Sequence, residues 1–303
     1  MKGKRTSVRL AKLLFDGTVG RIRDPRLLGR ISSALTRTTH AVNGRIRQVA
    51  SAQTPLPVIE SFDRTERLAP CVLRERAHWK DVAIRPNGIP GMITDEERRY
   101  YAYLPRFYSG KGEVVELGPW LGSSTSFIVS GLRGNPRFAG RKLHVFDDFV
   151  WRSRWMNHFV RPEERLENHG DFRPLFEKYA ADLSDSLEVQ KRRILTYDGN
   201  AEIPQLAWNG GPIEMMFVDC GRLFHTNEAW YRIFSPSFIP DVTLIAMQDW
   251  RLQFEVPVYW ENQTKNFTDS KGPALELVHE LKNGTTATFL YRGGGAGQAP
   301  TPG

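Results

Sequence analysis

Acid, glycine and hydroxyl residues converge at one place in this chain, Val114-Val115-Glu116-Leu117-Gly118-Pro119-Trp120-Leu121-Gly122-Ser123-Ser124-Thr125. An apolar run ends in an acid, a glycine turn follows, and a small polar step leads into Phe127, Ile128, Val129 and Leu132 at helical spacing. This order predicts a buried strand, a tight turn and a helix N-terminus. Gly118 and Gly122 carry no Cβ and would let backbone come close to a ligand. The first N–H groups of the helix, from Ser123 onward, have no intrahelical partner and can bind ligand oxygens. Glu116 favours a cationic ligand. The spacing is Gly-x-x-x-Gly rather than the Gly-x-Gly-x-x-Gly of dinucleotide sites, which disfavours a nicotinamide oxidoreductase. Acid and glycines together suggest S-adenosylmethionine, whose ammonium and sulfonium are both positive. The plain alternative is a glycine turn of any α/β sheet.

Further acids fall at the ends of other apolar runs. Asp147 follows Leu143–Phe146, where a second-strand acid would bond both ribose hydroxyls of an adenosine ligand. Asp148 is the near-equal alternative, one of the two capping the next turn. Asp198, in an Asp-Gly step, either reaches an adenine amino group or makes a turn. Asp219 ends Ile213–Val218, and Gln248-Asp249 ends Val242–Met247. Two carboxylates and the Gln248 oxygen would suit a hard cation such as Mg²⁺, which would acidify an acceptor hydroxyl. The alternative has Asp219 capping a loop and Asp249 bonding backbone. His225 is a candidate general base by virtue of its near-neutral pKa, or a structural histidine. Trp151, Trp155 and Trp250 either wall an acceptor pocket or pack in the core.

These residues need strands and helices to bring them together. Thr94-Asp95-Glu96-Glu97 reads as a capping box that starts a helix running to about Tyr108. Strands follow at Val114–Leu117, Leu143–Phe146, Arg193–Tyr197, Ile213–Val218 and Val242–Met247. Residues 161–190 read as helical, interrupted at Pro174, and 226–234 as helix. Ala274–Leu281 reads as a helix stopped by Asn283-Gly284, and Thr285–Tyr291 as the last strand. Alternating strands and helices imply an α/β fold, a doubly wound, mostly parallel Rossmann-like sheet with ligands at the strand carboxyl ends. The expected organisation is a basic arm over 1–55, an irregular lead-in over 56–93, the main domain over 94–292 and a disordered tail over 293–303.

Charge is unevenly distributed along the 303 residues. The net +8 is carried by the arm, where twelve Lys and Arg face Asp16 and Asp24 for a net +10, and the remainder carries −2. A near-neutral body argues against nucleic acid as partner. Leu27, Leu28, Ile31 and Leu35 fall at helical spacing among arginines, which suits an acidic partner, a peripheral membrane surface, a transit peptide or a solvated tail. No apolar run is long enough to span a bilayer. Cys71 and Cys220 lie far apart, which argues for a reducing compartment and a cytoplasmic protein.

Residues 90–250 resemble class I S-adenosylmethionine-dependent methyltransferases, and most closely the small-molecule O-methyltransferases of the macrocin O-methyltransferase type. The resemblance is carried by the capped helix before Val-Val-Glu-Leu-Gly-x-x-x-Gly-Ser-Ser-Thr, by Phe146-Asp147-Asp148-Phe149, by Phe217-Val218-Asp219 and by Met247-Gln248-Asp249-Trp250. It implies that Glu116, Gly118, Gly122, Ser123 and Asp147 hold the cofactor. It also implies O-methylation of a small hydroxylated acceptor, such as a sugar. Metal-dependent members use the fourth-strand Asp and an Asp-Asp pair after the fifth strand. Here Gln248 replaces one carboxylate, and the Asp-Gly-x-His step reads Asp219-Cys220-Gly221-Arg222 with His225 displaced. Only one strand is evident after the last helix, where that fold has a terminal hairpin. A non-catalytic cofactor-binding scaffold that docks through its arm is the alternative function.

Overall fold

Thr94 and Glu97 exchange the two hydrogen bonds of a capping box. The Glu97 backbone N–H donates to Thr94 Oγ1 at 3.1 Å, and the Thr94 N–H donates to Glu97 Oε2 at 2.6 Å. Asp95, Glu96 and Glu97 place negative charge on the positive end of this helix, α1 (Asp95–Tyr103). Helix α1 belongs to a computed structural model that describes residues 77–84, 87–195, 203–254 and 263–293. The basic arm, Asp198 and the tail beyond Gly293 lie outside the described residues, and so do the expectations placed on them.

A 3-10 turn, Leu104–Phe107, carries α1 into β1 (Glu113–Leu117). The chain continues through α2 (Ser123–Arg133), β2 (Leu143–Asp147), α3 (Ser153–Met156), α4 (Arg173–Tyr179) and β3 (Leu187–Lys191). It ends with β4 (Ile213–Val218), α5 (Phe224–Phe234), β5 (Leu244–Met247), α6 (Thr264–Ser270), β6 (Leu275–Glu280) and β7 (Ala287–Tyr291). The seven strands form one sheet in the order β3-β2-β1-β4-β5-β7-β6. Strands β1 to β5 pair in parallel, and β7 runs antiparallel to β5 and β6.

Strands β4 and β5 are buried at every position, as a parallel sheet covered on both faces requires. Alternate residues feed different cores. Val114 joins Tyr100, Leu104, Phe127 and Ile128 on one face, and Val115 joins Trp230, Phe234, Ile245 and Phe267 on the other. The described part of the lead-in belongs to the first core. Trp79, Val82, Ile89 and Ile93 are buried there, and Trp79 Nε1 donates to Glu96 Oε1.

Three sequence expectations are corrected. The third strand of the sheet is Leu187–Lys191; of the expected Arg193–Tyr197, Arg193 forms an isolated bridge to Gln205, and Thr196 and Tyr197 lie outside the described residues. Strand β3 is an edge strand paired with β2 alone, so polar Glu188, Gln190 and Lys191 interrupt its apolar signal. Residues 161–190 contain one short helix, α4, flanked by 3-10 turns, and Pro174 lies in its first turn instead of breaking it. Ala274–Leu281 is not a helix but contains β6. Leu275 and Val278 are buried at a three-residue interval because a bulge between Leu277 and His279 resets the alternation. Asn283-Gly284 therefore turns a hairpin instead of stopping a helix. The terminal hairpin missing from the sequence reading is present.

Candidate cofactor and acceptor site

Strands β2, β1, β4 and β5 are neighbours, and their carboxyl ends lie at one level. Leu117 pairs with Phe146 on one side and Val218 on the other, and Val218 pairs with Met247. Backbone bonds continue one step further, from Gly118 N to Phe146 O, Asp219 N to Leu117 O and Gln248 N to Val218 O. Glu116, Asp147, Asp219 and Asp249 are thereby gathered along one edge of the sheet, as alternating apolar runs tipped with acid predict. Backbone strain collects there too. Trp120, Phe149 and Asp249, each just past a strand end, have φ of 46°, 53° and 61°. Non-glycine residues in this left-handed region cluster at functional sites.

The glycine turn is built differently from the sequence expectation. Gly118 has φ 79°, and a Cβ there would lie 2.4 Å from the Asp219 carbonyl oxygen. The nearest demand for glycine comes from the end of β4, not from ligand space. Glu116 is buried, and both its oxygens are engaged by hydroxyls of α2. Ser124 Oγ donates at 2.6 Å and Thr125 Oγ1 at 2.7 Å. Burial pushes the Glu116 carboxyl up to about 7, although the two hydroxyls oppose the shift. Ser123 is also buried, and its Oγ has no partner among the described residues. Gly91 lies against it, since a Cβ at Gly91 would come 2.5 Å from Ser123 Cβ and Oγ. Asn87 Nδ2 donates to Ser126 Oγ at 2.5 Å, so the lead-in lies against the start of α2.

Asp147 and Asp148 have separate tasks. Asp148 pairs with Arg152 at 2.8 Å, has Arg193 at 3.8 Å and accepts the Val150 N–H. Asp147 accepts the Phe149 N–H at 2.7 Å on one oxygen. Burial, followed by the charge of Asp148, pushes its carboxyl up to about 7. Asp147 is therefore the less engaged of the two.

The residues expected to hold a metal are not arranged as ligands. Gln248 is buried, and its oxygen accepts Tyr101 Oη–H at 2.6 Å and Thr286 Oγ1–H at 2.6 Å. Its nitrogen donates to Glu97 Oε1 at 3.0 Å and Thr285 Oγ1 at 2.8 Å. This corrects the reading of Gln248 as a ligand. Asp249 is paired with Arg222, Nε to Oδ2 at 2.6 Å. Among the described residues, no group of three His, Cys, Asp or Glu could hold a metal ion. The residues present do not fit Mg²⁺.

Asp219 reaches the surface at the end of β4. Desolvation by the protein around it, then the charge of Asp249, push its carboxyl well above the usual range, and Arg222 opposes them. His225 is exposed in the first turn of α5. Of the tryptophans, Trp151 and Trp250 are core residues whose indole N–H groups donate to Asn157 and Thr268. Trp155 is half-buried, with its ring 5.5 Å from that of Trp120, and Phe159 lies 5.9 Å from Trp120.

Sequence reasoning missed Arg222 and the wider task of Glu97. Besides capping α1, Glu97 Oε1 accepts from the Gln248 amide and the Thr285 backbone N–H. The capping box was a signal for Glu97; nothing local joins it to residues 188 positions later.

No family model matches the chain, and no curated protein matches it. Among solved structures it is similar to the O-methyltransferase NovP, at 12% identity, with a TM-score of 0.45 and coverage of 67% of this chain and 82% of that one. It is likewise similar to the S-adenosylhomocysteine-bound Podospora anserina methyltransferase PaMTH1, at 12% identity and a TM-score of 0.41, covering 78% of this chain and 100% of that one. Likenesses at this level decide nothing by themselves, and the strand order stands independently of them. Five parallel strands in the order 3-2-1-4-5, closed by an antiparallel seventh strand inserted before the sixth, give this chain the fold of the class I S-adenosylmethionine-dependent methyltransferases.

Proposed function

We propose that the chain is an S-adenosylmethionine-dependent methyltransferase acting on a hydroxyl of a small acceptor, a sugar or another hydroxylated metabolite. The observation that carries the reading is the line of Glu116, Asp147, Asp219 and Asp249 along adjacent strand ends. In this reading Glu116, Gly118, Gly122, Ser123 and Asp147 hold the cofactor, and Asp198 reaches the adenine. The acceptor oxygen forms a bond to the methyl carbon while the sulfur–carbon bond breaks, and the electron pair stays on sulfur as a neutral thioether. The acceptor proton passes to Asp219, the exposed carboxylate on the acceptor side, with His225 as the second candidate base. The protein chiefly aligns the two reactants. No step runs through a metal, because the Gln248 oxygen is committed to Tyr101 and Thr286. The +10 arm adds salt-sensitive contact with an acidic partner or anionic membrane surface.

Calorimetric titration with S-adenosylhomocysteine and with NAD tests the cofactor. Transfer of labelled methyl to a panel of hydroxylated sugars and phenols tests the reaction. Binding of S-adenosylhomocysteine but not NAD, with label on at least one acceptor, is expected. Preference for NAD would overturn the cofactor. Tight binding of S-adenosylhomocysteine with no transfer to any acceptor would leave the scaffold reading.

A further inference from the structure

We infer that Arg222 is the resident cation of the acceptor site, placed where a divalent ion would otherwise neutralise the carboxylates that end β4 and β5. The inference rests on the methyltransferase reading above and adds the group that meets the acceptor oxygen.

Four observations support it. The third metal donor is absent in substance, because Gln248 spends both ends of its amide on Tyr101, Thr286, Glu97 and Thr285. Rotating it outward would leave buried hydroxyls and the Glu97 carboxylate short of partners. The edge nevertheless gathers four carboxyl groups, Glu116, Asp147, Asp219 and Asp249, at adjacent strand ends, and each that ionises there favours a nearby cation. Arg222 supplies one, bonded to Asp249 at 2.6 Å, with about half of its side chain (48%) still exposed to solvent. Finally, the pair is held from both sides. Thr285 Oγ1 lies 3.3 Å from the Asp249 backbone N and 3.5 Å from Oδ1, fixing a residue already at φ 61°. On the other side, the Arg222 carbonyl accepts the Gln263 N–H, Gln263 Oε1 accepts the Phe224 N–H, and Asn227 Nδ2 donates to the Gly221 and Leu223 carbonyls. A salt bridge that only decorated a surface would not call for this scaffolding on each partner.

Chemically, an acceptor oxygen gains negative charge as its proton leaves and loses it as the bond to the methyl carbon forms. A guanidinium cannot lose its proton near neutral pH, so it stabilises that charge without the pH-dependent loading a metal requires. Asp249 orients the guanidinium and Asp219 takes the proton. Atoms and charge balance as in the transfer written above, with no co-reactant.

The test combines a binding arm that needs no acceptor with a kinetic arm. Mn²⁺, as a spectroscopic probe for the divalent site, is titrated into the full chain and followed by electron paramagnetic resonance. No stoichiometric binding is expected, and tight binding of one Mn²⁺ lost in Asp249→Asn would overturn the inference. On an acceptor from the panel, wild-type turnover should be the same with and without EDTA. Arg222→Gln should lower kcat about 100-fold, with KM for S-adenosylmethionine and affinity for S-adenosylhomocysteine within about twofold of wild type. Arg222→Lys should recover much of the loss, which a purely structural role would not predict. Unchanged kcat in Arg222→Gln, or activity abolished by EDTA, would sink the inference and leave the methyltransferase reading intact. Failure to bind S-adenosylhomocysteine at all would sink that reading instead.

Discussion

Asp147 and Asp148 are adjacent in sequence and differ in surroundings, so their substitutions should separate. Asp148 is neutralised by Arg152, whereas Asp147 accepts one backbone N–H and, among the described residues, makes no ion pair of its own. Asp147→Asn should weaken S-adenosylhomocysteine about tenfold or more, through lost charge-assisted bonds to the ribose. Asp148→Asn should change affinity by no more than about twofold and show its effect in the melting temperature. Calorimetry and thermal melts read the two. Glu116 and Asp147 also carry a pH signature. Their carboxyls stand at about 7 in the fold, against ordinary values of 4.5 and 3.8. Between those limits the unfolded chain has lost protons that the folded chain keeps, so stability of the ligand-free protein falls as pH rises through that window. In the proposed reading ligand affinity should move the other way, since an ionised Asp147 would accept from both ribose hydroxyls. Melts from about pH 5 to pH 8 should show the fall, flattened in Glu116→Gln. An equal slope in wild type and Glu116→Gln would contradict the burial argument.

Helix α1 and the β6–β7 hairpin are coupled through one carboxylate. A Cβ on Gly284 would sit 2.8 Å from Glu97 Cγ and Cδ, so Gly284→Ala must displace the side chain that caps α1 and holds Gln248. The expected cost is about 1–3 kcal/mol, because the displaced carboxylate leaves buried donors unmet. Thr94→Ala removes one cap bond and should cost about 1 kcal/mol. Urea titration would rank them, and a smaller effect for Gly284→Ala would show that the hairpin yields instead. Just past the end of β1, Gly118→Val would drive a branched side chain into the Asp219 carbonyl. We expect that variant to fail to fold, so Gly118 is a poor probe of ligand binding, and Asp147 is the informative one. A folded Gly118→Val protein with a wild-type melting temperature would refute this.

At the scale of the whole chain, charge divides unevenly, with +10 over residues 1–55 and −2 over the rest. Removing residues 1–50 should leave the melting temperature and S-adenosylhomocysteine affinity unchanged. It should abolish any salt-sensitive binding to anionic vesicles, since the +10 charge goes with it. Removing residues 1–93 should not give a folded protein. Trp79, Val82, Ile89 and Ile93 are part of the core around α1 and α2, and losing several large buried side chains exceeds the stability of an ordinary domain. Circular dichroism melts of both truncations decide the matter, and a cooperative melt from the shorter chain would contradict it. Among the described residues no helix is long and apolar enough to cross a membrane.

Most of the sheet was legible because its evidence is local. The apolar runs of β1, β2, β4 and β5, their terminal acids and the capping box at Thr94 all fall within a few residues of one another, and each states its element and its end. Strand β3 escaped because an edge strand needs little apolar surface. Strand β6 was misread because a bulge gives it the spacing of a helix, and only its pairing with β7 reveals the difference. The fate of the site residues was settled further away. Whether Gln248 ligates a metal or locks into the core depends on Tyr101, Thr286 and Glu97, the last 151 positions distant. Whether Asp249 stands bare or paired depends on Arg222, 27 positions back on the neighbouring strand end. A sequence shows which side chains can do chemistry and which strands end in them. Which are already satisfied, and which remain for a ligand, is decided by non-local contacts that form only when the sheet closes.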